Sequence, residues 1–419
     1  MLYLVEDDSD LPARYGALAA LLADALHATL WPAPAALDEA RFPDAVQFVT
    51  RDRGLAPSGL IWAERLGVLR APCGDAPAAA RERDIVVPLH PRVMGDGVSA
   101  AAWRRQADGQ DVPVRHCRVL RAGDAWRVVD VATGLAIPGL DDCRQDDFGR
   151  WSAAPPGADS LRRAPRIVHG EPARLCIALI GSEAGQREGY PATLAALGDA
   201  LDAARIDSAT LDLRFVAPGT LSPAGAPAAL AGCDGILLPG GADMRAVPGQ
   251  VRAARHGWLS GTPVVGLCLG MQTMATAVLQ VALGTDDVGL TEVDANVRVP
   301  SFVPMRADPP AASEERHRVG EHRMQVVDGS HLRTILDGEH GLRYNHRYRF
   351  NAALHPALTA AGLNVVARDD SGQIVDAIEA RDHPFFIGMQ GHPEQSSTRH
   401  RPHPLLRAFV DAARAAAAR

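Results

Sequence analysis

Cys268 stands in Gly266-Leu267-Cys268-Leu269-Gly270-Met271-Gln272, between a short apolar run at 263–267 and a stretch of helical character at 271–280. A cysteine at a strand-to-helix turn forms a nucleophile elbow, with sulfur in place of the serine hydroxyl of Gly-x-Ser-x-Gly. The sharp turn pushes the sulfur out of the sheet, and the N-terminus of the following helix favours thiolate. Gly266 and Gly270 are small enough to let the turn close. A buried core cysteine is the commonest fate of a lone Cys; the strand–Cys–helix context argues against it here. A base is then needed, and Gln390-Gly391-His392-Pro393-Glu394 follows an apolar strand at 385–389. His392 leaves that strand's end as general base, and Glu394 fixes the imidazole's tautomer and orientation. Of the 15 histidines most serve surface or structure; His392 stands apart because a carboxylate follows two residues on. Pro239-Gly240-Gly241 ends a neighbouring strand, so the backbone N–H groups of Gly241 and Leu269 are candidates for an oxyanion hole. A Gly pair at a strand end is by itself a weak signal, since many turns have one. Together these residues supply a nucleophile, a general base and an oxyanion hole.

The elements that must position them follow from the apolar pattern. Residues 175–181, 235–241 and 263–267 are short buried strands, separated by helices at 191–204 and 247–260, with a further helix at 271–280. This alternation predicts a doubly wound, mostly parallel α/β sheet. The tail at 405–417 carries Leu405, Leu406, Phe409 and Val410 on one helical face and is expected to pack on that sheet. Ala153 to Ser160 and the low-order stretch beyond form a linker at 153–171, dividing the chain into 1–152 and 172–419. In the first part a strand at 2–5, a helix at 13–30, a strand at 84–89 and an alternating pair at 112–120 and 125–131 suggest a separate α/β or α+β domain.

Composition removes several function classes. All 43 basic Lys/Arg residues are arginine, so a Walker A loop and Schiff-base chemistry are excluded in their usual forms. The net charge of -7, with no basic stripe, gives no support for nucleic-acid binding. No apolar run is long enough to span a bilayer, and no signal-peptide pattern opens the chain. The six cysteines include no Cys-x-x-Cys pair, so neither a metal knuckle nor a disulfide framework is expected, and a reduced, cytoplasmic protein is. No cofactor and no metal are expected.

From about residue 172 to 412 the chain resembles the class I glutamine amidotransferase domain of CTP synthase, whose fold is flavodoxin-like. Leu238-Pro239-Gly240-Gly241 looks like that family's oxyanion strand, and Gly266–Gln272 is close to its nucleophile motif. Thr291-Glu292 is similar to its Ser-Thr-Glu segment, and Tyr344-Asn345-His346-Arg347-Tyr348-Arg349-Phe350-Asn351 to its His-Arg-His-Arg-Tyr-x-x-Asn. Gln390–Glu394 resembles Gln-Phe-His-Pro-Glu, and His403-Pro404-Leu405-Leu406 resembles His-Pro-Leu-Phe. The resemblance implies that Cys268 attacks the side-chain amide of L-glutamine, that His392 protonates departing ammonia and then activates water, and that Gln272, Glu292 and Arg347 position the substrate.

The chain also departs from the family. Gly391 and Gln395 replace aromatic residues around His-Pro-Glu, Asn345 replaces an arginine, and Ala242–Gly249 replaces a Gly-rich lid of which Arg245 remains. The resemblance therefore does not carry the family's GTP response to this lid. Residues 1–152 hold no P-loop and no lysine, so the family's ATP- and UTP-binding synthetase domain is not expected there. The expected function is glutamine-dependent release of ammonia to an unidentified acceptor, in the N-terminal domain or in a synthetase partner, with homo-oligomerisation open. The alternatives are an amide or γ-glutamyl hydrolase without ammonia channelling, and a non-catalytic regulatory or scaffold homologue. In the N-terminal part, Glu6-Asp7-Asp8 with Asp52 has the look of a receiver's acidic pocket without its lysine; a charged loop is the simpler account. Asp141-Asp142, Asp146-Asp147, His90 and His116-Cys117 read as solvated or structural groups.

Overall fold

The computed structural model describes residues 1–33, 35–50, 54–70, 75–90, 99–153, 175–206, 210–223, 225–305 and 317–419. Nearly all of the expected linker, together with Asp52 and Cys73, lies outside these residues. By contact density the chain forms two compact units. One comprises residues 1–48, 56–166 and 184–195; the other comprises 49–55, 167–183 and 196–419.

The first unit is built on a seven-stranded sheet. Its strands are β1 (Leu2–Glu6), β2 (Thr29–Leu30), β3 (Ile85–Leu89), β4 (Val114–Ala122), β5 (Ala125–Asp130), β6 (Cys143–Gln145) and β7 (Trp151–Ala153), in the order β2-β3-β1-β4-β5-β6-β7. The first four in that order pair in parallel and the rest antiparallel. The alternating pair expected from the sequence is the β4–β5 hairpin, closed by Ala122 opposite Ala125. The long helix expected at 13–30 is shorter, Ala17–Ala25. Gly16 at φ 78 starts it and His27 at φ 52 ends it, which frees Thr29 and Leu30 to join the sheet beside β3.

The second unit has a nine-stranded sheet of β8 (Leu175–Leu179), β9 (Leu211–Phe215), β10 (Gly235–Leu238), β11 (Val264–Leu267), β14 (Arg318–Val326), β15 (Gly341–His346), β17 (Leu363–Asp369), β18 (Val375–Ala380) and β19 (Phe386–Met389). Three further strands, β12 (Val288–Leu290), β13 (Val299–Pro304) and β16 (Tyr348–Phe350), form a small separate sheet. The large sheet runs β9-β8-β10-β11-β19-β18-β17-β14-β15. Its first five strands are parallel, as the strand–helix alternation requires. The other four are antiparallel, and β19 belongs to both halves. The sequence pattern announced the parallel half but not the antiparallel one, whose strands mix buried and half-buried positions.

Helices Val247–Ser260 and Leu269–Leu283 pack beside β10 and β11, and their contacts explain the glycines there. A Cβ on Gly257 would stand 2.2 Å from Val264 Cγ2, and one on Gly270 would stand 2.2 Å from the carbonyl oxygen of Leu238. The tail helix Pro404–Ala417 buries Leu405, Leu406, Phe409, Val410 and Ala413. Phe409 and Ala413 fill the space where Gly235 has no side chain. Because Gly270 meets rigid backbone, Gly270→Ala should lower stability by about 1–3 kcal/mol. Urea denaturation monitored by circular dichroism measures this, and an unchanged midpoint would refute the close packing.

Candidate active site

β11 delivers its last residue, Leu267, to the C-terminal edge of the parallel half-sheet, and the chain turns at once into helix Leu269–Leu283. Cys268 makes that turn at φ 49 and ψ -106, a conformation that L-residues other than glycine rarely hold. The turn is fixed from both sides. The Cys268 N–H donates to the Met389 carbonyl at 2.7 Å. A Cβ on Gly266 would fall 2.7 Å from the backbone of Gly270, so only glycine fits beneath the elbow.

The neighbouring strand β19 pairs with β11 from Val264 opposite Phe386 to Leu267 opposite Met389. It therefore ends at the same level and releases Gln390 to Glu394 beside the cysteine. His392 is buried, its Nδ1–H donates to Glu394 Oε1 at 2.7 Å, and its own backbone N–H donates to the Arg343 carbonyl at 2.7 Å. A Cβ built on Gly240 would lie 3.2 Å from His392 Cε1 and 3.3 Å from Cys268 Cβ, so the ring and the thiol border the same point. Burial works against protonation of His392, but the Cys268 sulfur and the Glu394 carboxylate outweigh it and hold its pKa well above the ordinary imidazole value.

The backbone N–H of Leu269 is the first of its helix, and Gly241 at φ 152 follows the end of β10; among the described residues neither N–H has a hydrogen-bond acceptor. Gln272 lies in the first turn of the same helix, and its Nε2 donates to Gln390 Oε1 at 3.3 Å. Gln390 in turn directs Nε2 to Cys268 Sγ at 3.5 Å. Gln390 was not singled out from the sequence, although it lies inside the His-Pro-Glu segment. The Asn345 carbonyl, also unanticipated, stands 3.9 Å from the same sulfur. Glu292 is half-buried; burial raises its pKa, and the charge of Arg347 opposes the rise. Arg347 is exposed.

The residues that depart from the family pattern are accommodated physically. A Cβ on Gly391 would fall 2.9 Å from Leu342 Cβ and 3.2 Å from Tyr344 Cζ, so β15 fills the volume a larger residue at 391 would need. Tyr344 is itself clamped: the Arg318 guanidinium lies 3.7 Å above its ring and bonds both oxygens of the fully buried Asp376. Asn345 Oδ1 accepts from His317 Nε2 at 2.7 Å. Gln395 Oε1 accepts from the Val49 N–H at 2.9 Å. Arg245 folds back on Asp243 at 2.7 Å, at the surface.

Acidic and histidine residues of the first unit have structural partners. Asp7 pairs with Arg14 at 2.9 Å, Glu6 with His116 and Arg118 at 3.2 Å each, and His90 Nε2 bonds the Ser9 carbonyl. Asp146 accepts from the N–H groups of Phe148 and Arg150 and pairs with Arg150 Nε at 2.6 Å. Among the described residues no cluster of His, Cys, Asp or Glu could hold a metal ion, and no helix is long and apolar enough to cross a membrane.

Residues 209–412 match the family model for glutamine amidotransferase class-I, and this part of the chain is a class I glutamine amidotransferase domain. It is of the CTP synthase type. The CTP synthase of Chloroflexus aggregans is 32% identical over 306 residues, covering 72% of this chain and 55% of the relative. That of Rubrobacter xylanophilus is 32% identical over 302 residues, covering 71% of this chain and 54% of the relative. A solved Trypanosoma brucei CTPS glutaminase domain with bound acivicin superimposes with a TM-score of 0.52 at 29% identity, over 57% of this chain and 93% of that one. The chain spans about half the length of these curated relatives. Their aligned share of this chain exceeds what 172–419 holds, so the similarity reaches back into the N-terminal part, where no motif had marked it.

Two outcomes follow from this geometry. Gly391→Phe should lower the denaturation midpoint, and adding Leu342→Ala should restore part of the loss; additive losses in that double-mutant cycle would contradict the shared volume. His346 and His403 are both held neutral by burial, with pKa values lowered to about 3. The unfolded chain binds a proton at each near its ordinary value while the folded one does not, so stability falls as pH drops from about 6.5 toward 3. In His403→Asn, which keeps a capping side chain at the tail helix, the fall in urea midpoint between pH 7 and pH 5 should be smaller than in the parent.

Proposed function

We propose that this protein is a cysteine-dependent glutamine amidotransferase that releases ammonia from L-glutamine. Residues 172–419 form the amidotransferase domain, with 153–171 as linker and 1–152 as a domain of separate role. Cys268 attacks the side-chain amide carbon, and the Gly241 and Leu269 N–H groups receive the developing oxyanion. The His392 imidazolium protonates the departing ammonia, and the neutral ring then draws a proton from the water that cleaves the glutamyl thioester. Glu394 holds His392 in the required tautomer, while Gln272, Glu292 and Arg347 hold the main-chain groups of glutamine. Ammonia passes to an acceptor reaction, in the N-terminal domain or on a synthetase partner. The observation that carries this reading is the strained cysteine turn beside an imidazole bonded to a buried carboxylate at 2.7 Å.

A second reading, hydrolysis of a γ-glutamyl compound or another small amide without ammonia transfer, draws support from the volume taken by Leu342 and Tyr344 and from the engagement of Asn345 by His317. Glutamate release from glutamine by the purified protein, alone and with ammonia acceptors, tests the first. Cys268→Ala should lower it by several orders of magnitude, and His392→Asn by about 100- to 10,000-fold. Turnover of γ-glutamyl amides far above that of glutamine would replace the first reading with the second. Failure of a glutamine-like diazo-ketone to alkylate Cys268 would defeat both.

A further inference from the structure

At the opposite edge of the parallel half-sheet from Cys268, two other sulfurs face each other. Cys176 lies near the start of β8, and Cys233 precedes β10 by two residues. Their backbones are pinned together: the Cys176 N–H donates to Asp234 Oδ2 at 2.7 Å, and the Asp234 N–H donates to the Cys176 carbonyl at 2.7 Å. Cys176 Sγ stands 3.4 Å from Cys233 Sγ and 3.6 Å from Asp212 Oδ2. Arg214 is held by Asp212 at 2.7 Å and by the Ala231 carbonyl at 2.8 Å, and its Nη1 reaches Cys233 Sγ at 3.7 Å. The Arg214 side chain is 39% exposed, while Cys176 and Cys233 are buried.

We propose that Cys176 and Cys233 form an oxidation site for a small peroxide, with Cys233 as the attacking sulfur and Cys176 as the resolving one. The roles follow from the contacts. The Arg214 guanidinium reaches Cys233, the kind of neighbour that stabilises a thiolate, whereas Cys176 lies beside the Asp212 carboxylate, which disfavours one. The protonation preferences agree: their mutual hydrogen bond lowers the pKa of Cys233, against the effect of burial, and raises that of Cys176. The Cys117 and Cys143 thiols, by contrast, are pushed up by burial to about 11 and about 12.

In the first step the Cys233 thiolate attacks one peroxide oxygen. An S–O bond forms, the O–O bond breaks, and hydroxide leaves and is protonated to water; the sulfur, now a sulfenic acid, has lost two electrons. In the second step Cys176 loses its proton and attacks that sulfur. The S–S bond forms, the S–O bond breaks, and a second water leaves. Two thiols and one peroxide thus give one disulfide and two waters. The site is independent of the chemistry proposed at Cys268.

Peptide mapping by mass spectrometry tests this on the full reduced chain exposed to a few equivalents of hydrogen peroxide. The expected product is a peptide pair linked through Cys176 and Cys233. Cys176→Ser should instead give a dimedone-trapped sulfenic acid on Cys233, and Cys233→Ser should leave Cys176 unmodified. Arg214→Gln should slow the linkage several-fold. The wild-type map needs no variant to fold: if both residues remain thiols while Cys268 is oxidised, the proposal fails. It fails equally if Cys176 is sulfenylated when Cys233 is replaced.

Discussion

A thiol presented at the tip of a buried strand requires a backbone that turns more sharply than an L-residue prefers. Cys268 holds φ 49 and ψ -106, and a conformation of this kind costs about 1–3 kcal/mol. The surroundings over-determine it. β11 is hydrogen-bonded on both sides, the Cys268 N–H is taken by Met389, and the first turn of helix Leu269–Leu283 lies against Leu238 through a glycine. Relaxing the turn would break contacts to two strands and one helix at once. The rest of the site is arranged around that fixed sulfur.

The glycines at 266 and 270, the apolar runs on either side and the His-Pro-Glu segment are local, and their meaning was legible in the sequence. The parallel half of the sheet was legible for the same reason: each strand is a short, fully buried run followed by a helix. The antiparallel half was not, because β14, β15 and β17 carry charged residues among apolar ones. Gln390 and the Asn345 carbonyl reach the sulfur only through that half's folding. A backbone carbonyl leaves no trace in residue type at all. The N-terminal acidic run illustrates the reverse case: its residue types suggested a pocket, and the fold uses at least two of them in ion pairs.

The departures around the imidazole form a connected set. Glycine at 391 is required because Leu342 and Tyr344 occupy its side, and Tyr344 is held there by a guanidinium whose counter-charge is buried. Removing one member of such a buried pair leaves an uncompensated charge, which costs about 3–5 kcal/mol. The backbone around the pair also reaches the site: the Asp376 carbonyl accepts from the Gln390 N–H, and the Arg343 carbonyl from that of His392. A change at 391 thus bears on β15 directly, on β14 and β18 through Tyr344, Arg318 and Asp376, and on the adjoining His392.

The thiol and the imidazole are far apart in the chain, yet the strands that carry them are immediate neighbours, aligned over four rungs from Val264 and Phe386 to Leu267 and Met389. That ladder sets the level at which both strands end, and the intervening polypeptide adds the Arg343 carbonyl to hold the backbone of His392. The excursion from β12 through β18 meets Cys268 and His392 at the tip of that ladder, where the Asn345 and Arg343 carbonyls touch them. A two-strand frame of this kind fixes where the two side chains start, and the polypeptide between them shapes what surrounds them.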